Sequence, residues 1–176
     1  MTILRVLFAV SLSVAIAAGQ EASMKPHGGS MGMSAKLSAT AHCPQPTDSH
    51  AVEVGDHPGH MYVVEKEACT WTKPMEITGL MSKDDEAAAF TEIDGSKGKD
   101  HSSRVLGMDN GDKAYVHTQG TSMSKDQKLE SGQGTWSFAG GTGKLKGLKG
   151  KGTYKCAPGG DGVDCDIEGE YTLPSK

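Results

Sequence analysis

The chain has 176 residues, including 24 glycines, and carries 18 basic against 22 acidic side chains. A mildly acidic chain lacks the broad positive surface that nucleic-acid binding requires, so nucleic acid is excluded as a partner. Glycine costs about 1 kcal/mol relative to alanine in a helix interior, whereas turns and bulged strands use it. The composition therefore predicts a small all-β protein.

Residues 1–19 have the pattern of a secretory signal peptide. Arg5 precedes an apolar run over residues 6–18, which ends in small residues suited to cleavage. The run is shorter than the roughly 20 apolar residues that a membrane-spanning helix needs, and no comparable run follows it. The sequence therefore predicts an exported protein, periplasmic or secreted, without a transmembrane span after cleavage.

Residues 20–50 are rich in glycine, serine, methionine, histidine and proline, and are predicted to form a flexible tether. Thioether and imidazole groups suit Cu(I), which makes periplasmic copper handling one candidate function of this segment. The side chains concerned are Met24, His27, Met31, Met33, His42 and His50. The folded domain is predicted at residues 51–176, where every aromatic residue of the mature chain lies.

Residues 51–176 contain short strand-like segments separated by turn signals, a spacing typical of antiparallel sheets. Asn110 and Gly111 form a strong hairpin signal, and the strand after them is predicted over residues 113–120. Residues 82–89 fit either a short helical turn that begins with a capping box or a strand. About eight strands without a long helix predict a single closed antiparallel β-barrel, which also removes exposed sheet edges.

Two of these strands carry polar side chains that are candidates for ligand binding. Tyr115, His117 and Gln119 share one face of the strand predicted over residues 113–120. Glu168 and Glu170 share one face of the last predicted strand of the chain. Facing inward, they would form a polar lumen in which His117 and a glutamate could act as an acid–base pair. The outward orientation is favoured, because the aliphatic face of a half-buried strand usually packs on the core. Small residues on that inner face would leave room for a ligand.

The four cysteines, Cys43, Cys69, Cys156 and Cys165, are an even number in a predicted oxidising compartment and indicate two disulfides. Cys156 and Cys165 flank a flexible loop between two strands, so a bridge between them is geometrically easy. Cys43 would then pair with Cys69. Three pairings are formally possible, and this one is favoured.

The sequence predicts neither a cofactor nor a metal ion. His57 and His60, with Asp56 beside them, are candidates for part of a Zn²⁺ site. However, the Pro-Gly turn at residues 58–59 is not expected to aim both rings to one side, and no third ligand is identifiable. Residues 140–144 resemble a phosphate-binding loop only superficially, because the first glycine and the final Ser or Thr of that motif are missing.

Three segments resemble one family of exported bacterial proteins. They are residues 56–60 (Asp-His-Pro-Gly-His), residues 110–121 and the glycine-rich residues 134–154, and residues 169–174 follow the same pattern. Together they are similar to the allene-oxide-cyclase-like barrel group, whose fold plant dirigent proteins share. The resemblance implies a small antiparallel β-barrel with a bulged, glycine-rich strand pair. It implies no particular activity, because no cyclase active-site motif can be matched and a fold alone does not specify chemistry.

Three functions are compatible with these observations. The first is non-catalytic binding of a small or hydrophobic ligand by an exported barrel. The second is a cyclase, isomerase or dirigent-like enzyme that guides a reactive intermediate inside the barrel. The third is copper handling by the predicted tether. The sequence leaves open whether the protein is an enzyme, and it favours binding.

Overall fold

A computed structural model of the protein describes residues 33–125 and 128–174. The predicted signal peptide and residues 20–32 of the predicted tether lie outside the described residues. The strands are β1 (Met33–Pro44), β2 (Asp48–Glu53), β3 (His60–Lys73), β4 (Glu76–Ile77), β5 (Leu80–Asp94), β6 (Lys97–Met108), β7 (Lys113–Lys125), β8 (Lys128–Gly141), β9 (Lys149–Gly159) and β10 (Gly162–Leu173), with one 3₁₀ helix at Gly143–Leu145.

Eight of these strands form a closed antiparallel barrel, which confirms the predicted fold. Hydrogen bonding follows the order β3-β1-β10-β9-β8-β7-β6-β5, and β5 pairs with β3 to close the circle. The short strand β2 adds to the first half of β3, and β4 forms a hairpin with the start of β5. Within residues 33–125 and 128–174, no helix has the length and apolarity to cross a membrane.

The barrel begins at Met33, earlier in the chain than the predicted domain start at residue 51. Strand β1 lies in the predicted tether, yet it pairs with β10 along its whole length and also contacts β3. Leu37, Ala39 and Ala41 are buried and alternate with polar residues, which is the two-residue period of a strand. The prediction of a tether is therefore wrong for residues 33–50. Alanine and serine made this period hard to recognise among glycine-rich neighbours.

Residues 82–89 belong to a strand and not to a helical turn. In β5 the side chains of Ser82, Asp85, Ala87 and Ala89 are buried. The register of β5 against β6 shifts between Ser82 and Asp84, so a bulge separates Ser82 from the rest of the inward face. Because of this bulge, Asp85 faces the inside of the barrel.

The two ends of the barrel differ. One end, where β10 ends and the β3–β5, β6–β7 and β8–β9 connections lie, is filled by an apolar plug. Its buried side chains are Met75, Ile77, Leu80, Leu106, Met108, Ala114, Phe138, Leu145, Leu148 and Leu173. The β1–β2, β2–β3, β5–β6 and β9–β10 connections surround the opposite end, which we call the open end.

Glycines in the last strands make room for a large side chain inside the barrel. The indole of Trp136 lies against Gly152 and Gly169, and its Nε1 donates a hydrogen bond to the Glu168 carbonyl at 3.2 Å. A Cβ on Gly152 would lie 2.6 Å from that Nε1, a distance that real side chains do not tolerate. The glycine-rich segment therefore shapes the barrel, as predicted, and the turn over residues 142–148 contains no phosphate-loop helix.

The two disulfides have the predicted pairing. Cys43 on β1 bonds to Cys69 on β3, and Cys156 on β9 bonds to Cys165 on β10. Both bridges join neighbouring strands of the barrel. Two disulfides indicate an oxidising environment, because cytosolic thiols are kept reduced.

Candidate functional site: the barrel lumen

The open end of the barrel contains a cavity of about 340 Å³. This volume lies within the range of roughly 300–1,000 Å³ that is typical of small-molecule sites. The cavity is bordered by apolar and aromatic side chains on several strands and by a group of ionisable ones. The first set includes Trp71, Leu106, Val116, Leu129, Trp136 and Ile167, and the second consists of Glu65, Glu67, Asp85, Asp100, Arg104 and Tyr154.

Strand alternation places the ionisable residues inside. On β3, Glu65 and Glu67 occupy the same face as Val63, which is buried. On β6, Arg104 is two residues from the buried Leu106, so their side chains point to the same side. The lumen therefore combines an apolar wall with several charged groups.

Arg104 forms the centre of an ion-pair network. Its Nε and Nη2 donate to the two carboxylate oxygens of Asp85 at 3.0 and 3.1 Å, and its Nη1 donates to Glu67 at 2.6 Å. Nη2 also lies 3.0 Å from the Cys69 sulfur of the first disulfide. The side chains of Arg104 and Asp85 are only 15% and 4% exposed. The guanidinium is therefore held in a fixed position, with its donors engaged by protein groups.

Burial changes the pKa values within this network. Burial raises the pKa of Asp85, and Arg104 opposes that effect only in part. For Arg104, burial disfavours the charge, but the carboxylates of Asp85 and Glu67 outweigh it and raise the pKa further. Arg104 is therefore a cation beside Asp85 and Glu67.

Tyr154 and Asp100 form a second polar pair in the lumen. The Tyr154 hydroxyl on β9 reaches across β8 and β7 and donates to Asp100 on β6 at 3.0 Å. Gly134 and Gly120 leave the space for this hydroxyl, and a Cβ on Gly134 would lie 2.6 Å from it. Burial, followed by the charge of Asp100, raises the pKa of Tyr154.

The carboxyl groups of Asp100 and Glu65 hold their protons to higher pH than usual. Burial is the main cause of the raised pKa in both residues, and the negative charge of Glu67 adds to it. Among the described residues that border the cavity, four carboxyl groups face one guanidinium. That guanidinium contacts Asp85 and Glu67, whereas the partners of Asp100 and Glu65 are the neutral hydroxyls of Tyr154 and Ser49. Asp100 and Glu65 are therefore the carboxyl groups available to a cationic or donor group of a ligand.

The ligand-binding residues predicted from the sequence do not line this lumen. Tyr115, His117, Gln119, Glu168 and Glu170 are exposed and lie on the outer faces of β7 and β10. The alternative of an inward-facing acid–base pair is therefore wrong. The outward orientation has the expected cause, because the aliphatic side chains of β7 pack on the core.

The charged lumen residues were not predicted from the sequence, although a signal for them exists. Glu67, Asp85, Asp100 and Arg104 share the inward phase of their strands with buried residues. A charged side chain at an inward-facing strand position is expected only where a partner compensates the cost of burying it. Apart from Arg5, Arg104 is the only arginine of the chain, and its position two residues before a core leucine is the clearest of these signals.

The structure describes only part of the candidate copper ligands. Met24, His27 and Met31 lie outside the described residues. His42 is fixed on β1, where its two ring nitrogens lie 2.8 Å from Asp164 and 3.0 Å from Asp161. His50 lies on the exposed strand β2. His42 and His50 therefore belong to strands and not to a flexible tether.

His57 and His60, the candidate zinc ligands, lie side by side. Their rings stack with centroids 4.9 Å apart. The turn at residues 58–59 thus brings both rings together, contrary to the expectation from the sequence. Asp56 supplies a third group, and its Oδ1 approaches both rings.

The sequence matches no family model, and no curated protein is significantly similar to it. Among solved structures, the chain is similar to the pterocarpan synthase dirigent protein GePTS1, with a TM-score of 0.51 and 14% identity over 90% of this chain and 99% of that one. The chain has a dirigent-like barrel fold. The pterocarpan synthase dirigent protein PsPTS1 gives a TM-score of 0.47 and 14% identity over 83% of this chain and 98% of that one.

At this level of identity the similarity concerns the fold of the dirigent-like barrel and not its activity. It agrees with the resemblance derived from the sequence, since both point to the same small barrel. The synthase activity belongs to the proteins that carry that name. The chemistry of this chain must be argued from its own lumen residues.

Proposed function

We propose that this dirigent-like barrel binds a small, largely apolar ligand that carries hydrogen-bond donors, inside the lumen at the open end. The observation that carries the proposal is the pair of carboxyl groups of Asp100 and Glu65, which border a cavity with a large aromatic and aliphatic wall and form no ion pair with a cation among residues 33–125 and 128–174. Such a combination of an apolar wall and a few polar groups is typical of small-molecule sites.

The apolar part of the ligand would contact the two tryptophans of the chain. Trp71 and Trp136 both border the cavity, and each offers a flat surface on which an aromatic ring can pack. Aromatic side chains bury large areas and favour offset or edge-to-face contacts with other rings. A planar aromatic skeleton is therefore the preferred ligand class.

The polar part of the ligand would be a hydroxyl or an amine. A carboxylate accepts hydrogen bonds and attracts cations, and the lumen contains more carboxyl groups than cations. Arg104 does not attract an anionic ligand effectively, because Asp85 and Glu67 already neutralise it. An anionic ligand would meet net repulsion.

A second candidate function is enzymatic, as in a cyclase, an isomerase or a dirigent-like synthase. The Asp100–Tyr154 pair favours it, because a buried carboxyl with a raised pKa beside a cavity can transfer a proton to a bound intermediate. The name of GePTS1 adds a precedent for synthase activity in a barrel of this fold. We rank binding first, because the cavity and its polar groups are sufficient for binding, whereas an enzymatic function also requires a substrate and a reaction that these residues do not define.

We infer that the protein is exported and meets its ligand outside the cytoplasm. Two disulfides suit an oxidising compartment, and residues 1–19 have the pattern of a cleaved leader. Mass spectrometry of the protein secreted by its own source, with the cleavage position determined, tests this part of the proposal.

Three probes with one skeleton test the lumen proposal: naphthol, which is neutral, naphthylmethylamine, which is cationic, and naphthoate, which is anionic. Isothermal titration calorimetry should give tighter binding of the first two than of naphthoate by about tenfold or more, as expected for a lost charge-assisted contact. Tryptophan fluorescence should change on binding, since both tryptophans border the cavity.

A matched pair of variants links the preference to the lumen. Asp100→Asn should reduce the preference for the amine, whereas Glu168→Gln on the outer face should leave it unchanged. Absence of binding for all three probes would refute the proposal. So would tighter binding of naphthoate than of the amine, or equal effects of the two substitutions.

A further inference from the structure

A second group of ionisable side chains lies at the open end of the barrel, outside the lumen. Asp56, His57 and His60, which we call the His57–His60 cluster, come from the turn between β2 and β3 and the first residue of β3. His60 pairs with Asp94 across the β3–β5 ladder, so Asp94 and Glu92 on β5 lie next to the cluster. Nothing in the proposed ligand binding uses these residues.

Local backbone contacts fix the turn that carries the cluster. Gly59 has a φ of +82°, a value that glycine adopts without strain. Its carbonyl accepts a hydrogen bond of 3.1 Å from the Gly95 amide in the β5–β6 turn. The amide of Val54 donates to the His60 carbonyl at 3.0 Å. The two rings are therefore held by a defined backbone.

Three potential ligand atoms of the cluster lie close together. Oδ1 of Asp56 lies 2.8 Å from Nδ1 of His60 and 3.2 Å from Nδ1 of His57. Potential ligand atoms of the three residues all lie within 4.8 Å of one another. In a tetrahedral zinc site with bonds of about 2.0–2.1 Å, neighbouring ligand atoms are about 3.3 Å apart. The spacing of the cluster is thus close to what a small divalent ion requires.

The outer nitrogen of each ring contacts a carboxylate. Nε2 of His57 lies 3.0 Å from Asp94, and Nε2 of His60 lies 3.3 Å from Glu92. Histidines that bind a metal commonly donate their other N–H to a carboxylate, which fixes the tautomer and leaves the inner nitrogen free to coordinate. Here both histidines have such a partner, and both Nδ1 atoms point toward Asp56.

We propose that Asp56, His57 and His60 bind one divalent transition-metal ion of the Zn²⁺ class, with Asp94 and Glu92 as positioning residues. Three carboxylates outnumber the two imidazoles, so the site carries a net negative charge that favours a cation even if both rings are protonated. Two nitrogens and one oxygen form a ligand set suited to Zn²⁺, and a fourth position remains for water or another ligand.

The ion would stabilise the β2–β3 turn at the open end of the barrel by linking residues 56, 57 and 60. The cluster lies on the outer side, because Tyr62, two residues after His60, is exposed, whereas Val63 faces the core. Metal binding at the rim and ligand binding in the lumen therefore use different residues. Each proposal can fail without affecting the other.

The test is a titration of the mature, chelator-treated protein with Zn²⁺ alone by isothermal titration calorimetry. We expect one ion per chain in the wild type. Replacement of a ligand in His57→Ala or His60→Ala should weaken the affinity by about a hundredfold or more. Asp94→Asn, which removes a carboxylate that only orients His57, should weaken it about 10–100-fold.

His117→Ala is the matched control, because it removes an exposed histidine on β7, a strand that pairs with β6 and β8 and contributes no residue to the cluster. Visible absorption with Co²⁺ gives a second measurement, since a tetrahedral site produces intense d–d bands that the His60→Ala variant should lose. Far-UV circular dichroism checks that each variant is folded. If a histidine variant does not fold, the Zn²⁺ affinity of Asp94→Asn, a substitution at an exposed position, decides whether the cluster binds the ion.

Two results would overturn the proposal. One is the absence of stoichiometric Zn²⁺ binding by the wild type, which would leave the cluster as ion pairs between histidines and carboxylates. The other is equal Zn²⁺ affinity in wild type, Asp94→Asn and Asp56→Asn. Weaker binding in the cluster variants with an unchanged His117→Ala variant would support it.

Discussion

Replacing Arg104 with leucine should destabilise the barrel strongly at neutral pH and only weakly in acid. The substitution removes the cation that contacts Asp85 through two hydrogen bonds and Glu67 through a third. Leucine keeps much of the apolar contact of the arginine stem, so the main loss is electrostatic. Asp85, whose side chain is 4% exposed, would then be a buried carboxylate without a counter-ion.

The expected loss is about 3–5 kcal/mol at pH 7, the range found when one partner of a buried ion pair is removed. For a domain of this size, this corresponds to a decrease in Tm of roughly 6–20 °C. Lys99→Leu is the control, because Lys99 is an exposed cation on the same strand. It should change the stability by no more than about 0.5 kcal/mol.

The pH dependence follows from the direction of the Asp85 shift. Burial already raises the folded-state pKa of Asp85 above its unfolded value of 3.8, and loss of Arg104 raises it further. A group whose folded pKa is raised gains stability as the pH falls through that pKa. The loss of unfolding free energy in Arg104→Leu should therefore be complete at pH values above the folded-state pKa of Asp85 in the variant, and it should shrink as the pH falls toward 4.

The assay is urea unfolding of the disulfide-bonded protein at several pH values between about 4 and 8. Adding Asp85→Asn to Arg104→Leu should recover part of the lost stability, because the uncompensated charge is then gone. A loss below about 1 kcal/mol at pH 7, or a loss of the same size at pH 4 and pH 8, would show that the charge of Arg104 does not stabilise the barrel by compensating Asp85.

Two further predictions concern the disulfides and the second polar pair. Replacing both Cys43 and Cys69 with alanine should cost about 3.5 kcal/mol of unfolding free energy, because that bridge closes a loop of 26 residues. Replacing Cys156 and Cys165 should cost about 2.6 kcal/mol, because their loop has only 9 residues. If urea unfolding gave the reverse order, the loop-entropy argument would be contradicted. Tyr154→Phe should leave the tyrosinate absorbance that develops by about pH 11 unchanged, because the pKa of Tyr154 is raised above its usual value of 10.0. A smaller absorbance in the variant would mean that Tyr154 ionises normally.

Much of the fold was predictable because it depends on residues that are neighbours in the sequence. Ala114 and Val116 are buried on the inner face of β7, as their alternation with polar residues indicates. The turn between β6 and β7 contains Gly111 with a φ of +86°, where the Asn-Gly signal predicts a hairpin. The two disulfide pairings followed from the loop between Cys156 and Cys165.

The ion-pair network was not predictable in this way. Glu67, Asp85 and Arg104 belong to three different strands, and their sequence separations reach 37 residues. In the ladder, Glu67 pairs with Ala87, and Ala87 pairs with Arg104, so one row crosses three strands. The strand phase alone can indicate that Arg104 faces inward, but only the register shows which carboxylates lie beside it and compensate its charge, and an unpaired buried charge is costly.

The residues of this chain by themselves determined a β protein with a leader-like start, glycine-rich turns and paired cysteines, because strand alternation and turn conformation depend on adjacent residues. Only the tertiary structure decided that β1 closes the barrel, that the acidic lumen forms around Arg104, and that Asp56 meets two stacked histidines. Each of these depends on the register of strands that are distant in sequence. That register is set by the packing of the whole barrel and not by any single segment.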